Sequence, residues 1–230
     1  MVNQMIRIPE GCVLWLDLTE DTGDIVYDHS GHGNNGRVYG AILEKRLPFI
    51  GRYFDGVDDY VEVPDSPSLR ISNEMTFVFW VKPLTLPSVE GAWGIVFKSG
   101  EYLIRAQATD EWAFFVYDGS DYEPRVQGGI VEQDKFTMIT AVMKFDGTYI
   151  KKYLYQDAEL VAREETQTGD IAQTTNSVLI GGYGGYYGKQ VIGEVRFYNR
   201  ALTAREIKYL YEETQKRVFR RIAPLNIRMR

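Results

Sequence analysis

The run Met75-Thr76-Phe77-Val78-Phe79-Trp80-Val81 constrains this chain more than any other segment. On an extended strand it places Met75, Phe77, Phe79 and Val81 on one face and Val78 and Trp80 on the other, so both faces are apolar. Such a strand must be covered from both sides, which puts it in the middle of a packed sheet. Further strand-like runs occupy residues 13–18, 60–63, 112–117, 136–143, 148–153 and 191–198. Asp-Gly turns punctuate them at Asp55-Gly56, Asp118-Gly119 and Asp146-Gly147, the last between two runs in the manner of a hairpin. Short strands at close spacing, with almost no helical periodicity, predict an all-β antiparallel sandwich.

The chain has 230 residues, ample for one large core. One helix is expected: Thr203-Ala204-Arg205-Glu206 is a capping box, and Ile207, Leu210 and Tyr211 follow at helical spacing, so residues 204–213 should cover part of the sandwich. Beyond it, Lys216, Arg217, Arg220, Arg221, Arg228 and Arg230 are met by no acid, and Pro224 interrupts any helix. The expected division is therefore a domain over 1–215 and a basic extended C-terminal arm over 216–230. With six of the 26 basic residues in the arm, 20 remain against 32 acidic ones, a body of −12 carrying a tail of +6. An acidic body is a poor surface for nucleic-acid phosphates; the tail fits nucleic acid or, equally, the acidic face of a neighbouring copy or another subunit.

The single cysteine, Cys12, forms no intramolecular disulfide and reads as a small buried hydrophobe beside Val13 and Leu14. No apolar stretch approaches the roughly 18 residues of a membrane span. The N-terminus, Met1 to Arg7, lacks the features of a secretory signal. The expected location is a virion or other extracellular assembly surface, with the cytoplasm as the alternative.

Three segments carry a more specific signal. They are Asp28-His29-Ser30-Gly31-His32-Gly33-Asn34-Asn35-Gly36; Phe54-Asp55-Gly56-Val57-Asp58-Asp59-Tyr60-Val61-Glu62-Val63-Pro64, which leads towards Phe77–Val81; and Gly193-Glu194-Val195-Arg196-Phe197-Tyr198-Asn199-Arg200-Ala201-Leu202. Together, in this order, they resemble the laminin-G-like domain of the concanavalin A-like lectin/glucanase superfamily. The resemblance covers about residues 12 to 213. It implies a jelly-roll sandwich of two antiparallel sheets with the N- and C-terminal strands adjacent. It also implies a calcium site at the glycine-rich loop, with Asp28, Asn34 and Glu194 as ligands. Gly193 stands where the family commonly has a second carboxylate, which leaves the donor set short. The loop alone reads equally as a structural Asx-turn.

Nothing in the sequence sets out a catalytic device. Glycoside hydrolysis needs two carboxylates about the cleaved bond, and the Glu-x-Asp-x-(x)-Glu strand of the superfamily's glucanases is absent. Asp55, Asp58, Asp59 and Glu62 fall across a turn and a strand start, where solvated carboxylates are ordinary. His29 and His32 sit in the glycine-rich loop and read as solvated. The expectation is therefore a non-enzyme.

Binding is the better prospect. Aromatic residues make up 13% of the chain, and most Phe and Trp belong to the core. Gly181-Gly182-Tyr183-Gly184-Gly185-Tyr186-Tyr187-Gly188, together with Trp93 and Tyr122 in two further loops, offers rings for stacking on sugars or for contact with a protein. The same rings read alternatively as a roof over the sandwich. Two function classes follow. The first is a structural or decoration subunit of a larger assembly such as a virion, attached through Arg217, Arg220, Arg221, Arg228 and Arg230. The alternative is a carbohydrate-binding, lectin-like module; glycoside hydrolysis ranks behind both.

Overall fold

The computed structural model describes residues 9–20, 22–44, 51–70, 73–119, 122, 124–167 and 171–220. In chain order the first strands are β1 (Cys12–Asp17), β2 (Ile25–Val26), β3 (Gly36–Tyr39), β4 (Ile42–Glu44), β5 (Gly51–Asp55) and β6 (Tyr60–Val63). The central ones are β7 (Glu74–Pro83), β8 (Trp93–Lys98), β9 (Tyr102–Gln107), β10 (Glu111–Val116), β11 (Val126–Gly128), β12 (Thr137–Phe145) and β13 (Tyr149–Gln156). The last are β14 (Glu159–Gln167), β15 (Val178–Ile180), β16 (Gly182–Tyr183), β17 (Tyr186–Tyr187) and β18 (Lys189–Tyr198). A short helix, α1 (Pro87–Glu90), precedes β8, and a long one, α2 (Ala204–Arg220), follows β18.

The strands form two antiparallel sheets packed face to face. The first has the order β14-β13-β12-β7-β18-β5-β4, with β1 also paired to β18; the second has the order β11-β10-β9-β8-β15-β6-β3-β2. This is the jelly-roll sandwich that the sequence predicts, and its first and last strands are neighbours, with Trp15 opposite Arg196. The doubly apolar run lies on β7, between β12 and β18, where both of its faces are used. Inward, Phe77 packs its ring 4.6 Å from that of Tyr102, 5.6 Å from Phe114 and 4.9 Å from Phe197. Burial of such rings is worth about 1.5–3 kcal/mol each, the dominant favourable term in a sandwich.

Outward, Val78 and Trp80 join a second apolar cluster with Phe136, Met138, Tyr198, Ile207 and Leu210, which helix α2 closes. Trp80 is held between the rings of Phe136 and Tyr211, at 5.7 and 5.6 Å, and its Nε1 donates to Thr214 Oγ1 at 2.8 Å. The capping box at the start of α2 is formed reciprocally: the Glu206 amide donates to Thr203 Oγ1 and the Thr203 amide donates to Glu206 Oε2. The Asp146-Gly147 hairpin joins β12 to β13, with Asp146 Oδ1 accepting from the amides of Thr148 and Tyr149.

The helix corrects one boundary. It continues to Arg220 rather than ending near Glu213, so residues 216–220, with Lys216, Arg217 and Arg220, prolong it and are not extended. No glycine or proline stop intervenes before Pro224, and Thr214 still has a partner beneath it. Arg221, Arg228 and Arg230 lie outside the described residues.

Candidate functional site

The outer faces of the two sheets differ. The middle of the first is covered by α2; that of the second carries a row of side chains set by strand register. Phe115 on β10 stands opposite Leu103 on β9, Leu103 opposite Phe97 on β8, and Phe97 opposite Leu179 on β15. The row continues through Glu62 on β6 to Arg37 on β3. Residues before and after each of these point into the core, as alternation demands; Tyr102, Ile104, Phe114 and Val116 are all inside.

One step along, Ala113 stands opposite Arg105, and Arg105 opposite Gly94. Gly94 leaves a gap in the sheet surface, and the ring of Tyr183 fills it: a Cβ at Gly94 would lie 2.4 Å from that ring. The β16–β17 hairpin thereby lies flat on β8. Tyr183 stacks on Phe97 at 4.2 Å and on Tyr186 at 5.2 Å. Its phenol oxygen stands 3.5 Å from Arg105 Nη1, which donates to it. Burial pushes the Tyr183 phenol above its ordinary pKa, against the pull of the Arg105 guanidinium.

Tyr122 closes the same cluster from the other side. Leu103, Ala113 and Phe115 form its buried floor, with Phe97, Tyr122 and Tyr183 packed around them. The Tyr122 ring lies 4.8 Å from that of Tyr117, and its hydroxyl accepts from the Gly100 amide at 2.8 Å. Two guanidiniums face the Phe115 ring, Arg105 at 4.8 Å and Arg125 at 5.7 Å; each is in range for a cation–π contact. Arg125 also donates to Gln127 Oε1 at 2.7 Å. Tyr186 is 46% exposed and is the most open ring of the group.

Of the five predicted ligand-binding residues, the structure brings Tyr122, Tyr183 and Tyr186 into this one cluster. Tyr187 turns away and lies over Gly182, whose Cβ would come within 2.2 Å of its ring. It belongs with Tyr60, which stacks on Tyr39 at 4.6 Å further along the same sheet face. Trp93 is a correction. It begins β8, is 1% exposed, and packs edge-on against Trp112 in the core at 6.2 Å. Gly91 made its neighbourhood look like an open loop, but the turn ends at Ala92 and the next side chain points inward. Phe97, Arg105 and Phe115 were missed, since only the pairing of distant strands shows that they meet.

The predicted metal ligands are otherwise employed. Asp28 Oδ1 accepts from the amides of Trp15 and Ser30, and Oδ2 from the Ser30 hydroxyl and the Asn34 amide, at 2.8–2.9 Å. Burial opposes ionisation of Asp28, yet these hydrogen bonds outweigh it and hold the carboxyl below its usual range. Asn34 Nδ2 donates to the Val13 carbonyl and to Ser68 Oγ. Glu194 is ion-paired with the fully buried Arg196 at 2.5 Å, and that guanidinium also covers the Trp15 ring at 4.4 Å. In this arrangement Asp28 and Asn34 shape the Asx-turn, and Glu194 forms an ion pair.

Other polar groups serve the fold. Asp55, Asp58 and Asp59 place carboxylate oxygens within 4.8 Å of one another, but Asp59 accepts from the Asp55 amide and Asp55 from the Val57 amide, so they shape the turn between β5 and β6. Burial, together with the charges of Asp55 and Asp58, pushes the Asp59 carboxyl up. His29 pairs with Glu20 and His32 with Ser30, both within the loop region. Cys12 is half-buried, and burial raises its thiol to about 11, far from a reactive thiolate. No helix of the described residues is long and apolar enough to cross a membrane.

Comparison with known proteins agrees with this architecture. A family profile described as the concanavalin A-like lectin/glucanases superfamily, of laminin G type, matches residues 55–208. No curated protein matches the chain by sequence. Among solved structures, the receptor binding domain of botulinum neurotoxin D aligns with a TM-score of 0.71 and 15% identity, over 89% of this chain and 53% of that one. The binding domain of botulinum neurotoxin DC, in complex with SialylT, aligns with a TM-score of 0.67 and 15% identity, over 89% and 52%. Trypanosoma rangeli sialidase, in complex with the inhibitor DANA, aligns with a TM-score of 0.61 and 19% identity, over 87% and 32%. The chain thus spans about half of the toxin domains' length and about a third of the sialidase's. At these identities the likeness is one of fold.

Proposed function

Since the chain belongs to the concanavalin A-like lectin/glucanases superfamily, we propose that it is a non-catalytic recognition module that binds glycans on the outer face of its second sheet. The observation that carries this reading is the convergence of Phe97, Tyr122, Tyr183 and Tyr186 from three separate segments on one uncovered surface. Rings of this kind offer flat apolar area for the CH face of a sugar and a phenol for its hydroxyls.

The test is a glycan array probed with the wild-type chain and with a Tyr183→Ala/Tyr186→Ala variant. The expected outcome is a defined set of bound glycans whose signal falls at least tenfold in the variant. Binding that survives both substitutions removes this face from the function.

A second reading, a subunit held in a larger assembly through its basic tail, is supported by the segregation of charge between body and tail. Virion or other surface attachment belongs to it. Its measure is the mass in solution before and after removal of residues 221–230; an unchanged mass rejects self-association through the tail.

A further inference from the structure

Arg105 differs from three other cations that the fold pairs with carboxylates. Lys98 is fully buried and meets Glu101 at 2.7 Å and Asp65 at 3.0 Å. Arg70 meets Asp65 at 2.5 Å, and Arg196 meets Glu194 at 2.5 Å. Each therefore has its charge balanced by a carboxylate, as low-dielectric surroundings require. Arg105 is half-buried on β9, and among the described residues no carboxylate lies within ion-pair distance of it. Its contacts are the face of Phe115 at 4.8 Å and the phenol of Tyr183 at 3.5 Å.

We infer that this face takes a glycan bearing a carboxylate, with the anionic group seated at Arg105 beside Tyr183. The inference rests on the glycan-binding reading of the same face and adds its ligand class. Tyr183 accepts from Arg105 through its oxygen, which leaves its O–H to donate. Guanidinium and phenol then stand side by side as donors for the oxygens of one carboxylate, and charge-assisted bonds of this kind are the strong ones.

The rest of the row fixes the direction of the ligand. Phe97 and Tyr186 follow Arg105 as stacking surface, and the row then passes through Glu62, which accepts from the Tyr39 hydroxyl at 3.3 Å, to Arg37. From β10 to β6 there are four strand steps, about 19 Å. That is room for an oligosaccharide lying across the strands, with its acidic unit over β9 and neutral units towards β6. A densely charged polyanion suits the surface poorly, because the body outside the tail carries −12 and Glu62 lies in its path.

The experiment is calorimetric titration of the whole chain with five probes: 3′-sialyllactose, lactose, tetragalacturonate, the methyl ester of tetragalacturonate and a heparin tetrasaccharide. Three variants accompany the wild type: Arg105→Gln, Arg105→Lys, and Lys144→Gln as a control for net charge on the other sheet. The expected result is a preference of about tenfold or more for a carboxylated probe over its neutral counterpart. Arg105→Gln should abolish that preference while keeping the residual neutral binding, Arg105→Lys should retain part of it, and Lys144→Gln should keep it whole. Equal affinity for acidic and neutral probes overturns the inference and leaves the glycan-binding reading standing. A preference that persists in Arg105→Gln, or tighter binding of a heparin tetrasaccharide than of either carboxylated probe, also overturns it. Thermal melts of each variant confirm that the sandwich is intact.

Discussion

The two outer faces of the sandwich are built from similar residues and put to opposite use. On the first sheet, Trp80, Phe136, Tyr198 and Arg196 lie under helix α2 and the neighbouring β1, and each is less than a tenth exposed. On the second, Phe97, Tyr122, Tyr183 and Arg105 are only half-buried, and Tyr186 is open. The charges follow the same division. Arg196 has its carboxylate and its indole, whereas Arg105 has a ring and a phenol. On the covered face the fold closes over Arg196 and supplies its counter-charge from Glu194; on the open face Arg105 has no such carboxylate among the described residues.

The largest expected effect lies on the covered face. Trp80→Ala removes an indole that touches Phe136, Tyr211 and Thr214, so it leaves a large cavity beneath α2. Such truncations cost about 3–5 kcal/mol. Chemical denaturation should report a loss of that size, with glycan binding preserved in the fraction that remains folded. A loss below 1 kcal/mol would mean that α2 does not seal this face, and the comparison would fail at its first term.

A smaller effect is expected at the start of α2, and it depends on pH. Thr203→Ala breaks the capping box at a cost of about 1 kcal/mol. Glu206 closes that box and is ion-paired with Arg200 at 2.5 Å; chiefly through that pair, its carboxyl is lowered from 4.5 to about 2. A carboxylate whose folded pKa is depressed stabilises fully above its unfolded value. Its contribution is therefore complete above pH 4.5 and is lost as pH falls towards about 2. Comparing wild-type melts with those of Glu206→Gln across that window isolates the effect: the gap should close on acidification. A gap independent of pH would assign the cost of the substitution to packing alone.

These elements also mark how far the sequence could be read. Both faces of β7 were legible because each is apolar in alternation, and the start of α2 was legible because Thr203 and Glu206 stand three apart before an apolar face. The end of α2 was not, since its last turns carry neither a C-terminal glycine nor a change of pattern before Pro224. Trp93 was misplaced because a glycine two residues earlier resembles an open loop whichever way the next ring points. The Arg105 cluster was hidden for a different reason. Phe97, Arg105 and Phe115 are spread along three strands, and their meeting depends on register, which no local spacing encodes. Tyr183 was visible as a candidate; that Gly94 makes the space for its ring was not.

The smallest effect on stability, and the sharpest test of the comparison, belongs to Tyr186→Ala. Its ring is 46% exposed and rests on Tyr183 at one side only. Removing it creates no cavity and orphans no buried polar group, so the cost should stay within about 0.5 kcal/mol. Glycan affinity should nevertheless fall by about tenfold, since a stacked ring contributes on the order of 1 kcal/mol beyond the area it covers. The two measurements together separate the faces: Trp80 holds the fold and Tyr186 holds the ligand. If Tyr186→Ala instead destabilises the chain by 2 kcal/mol or more and leaves affinity unchanged, the tyrosines are a roof over the second sheet just as α2 is over the first.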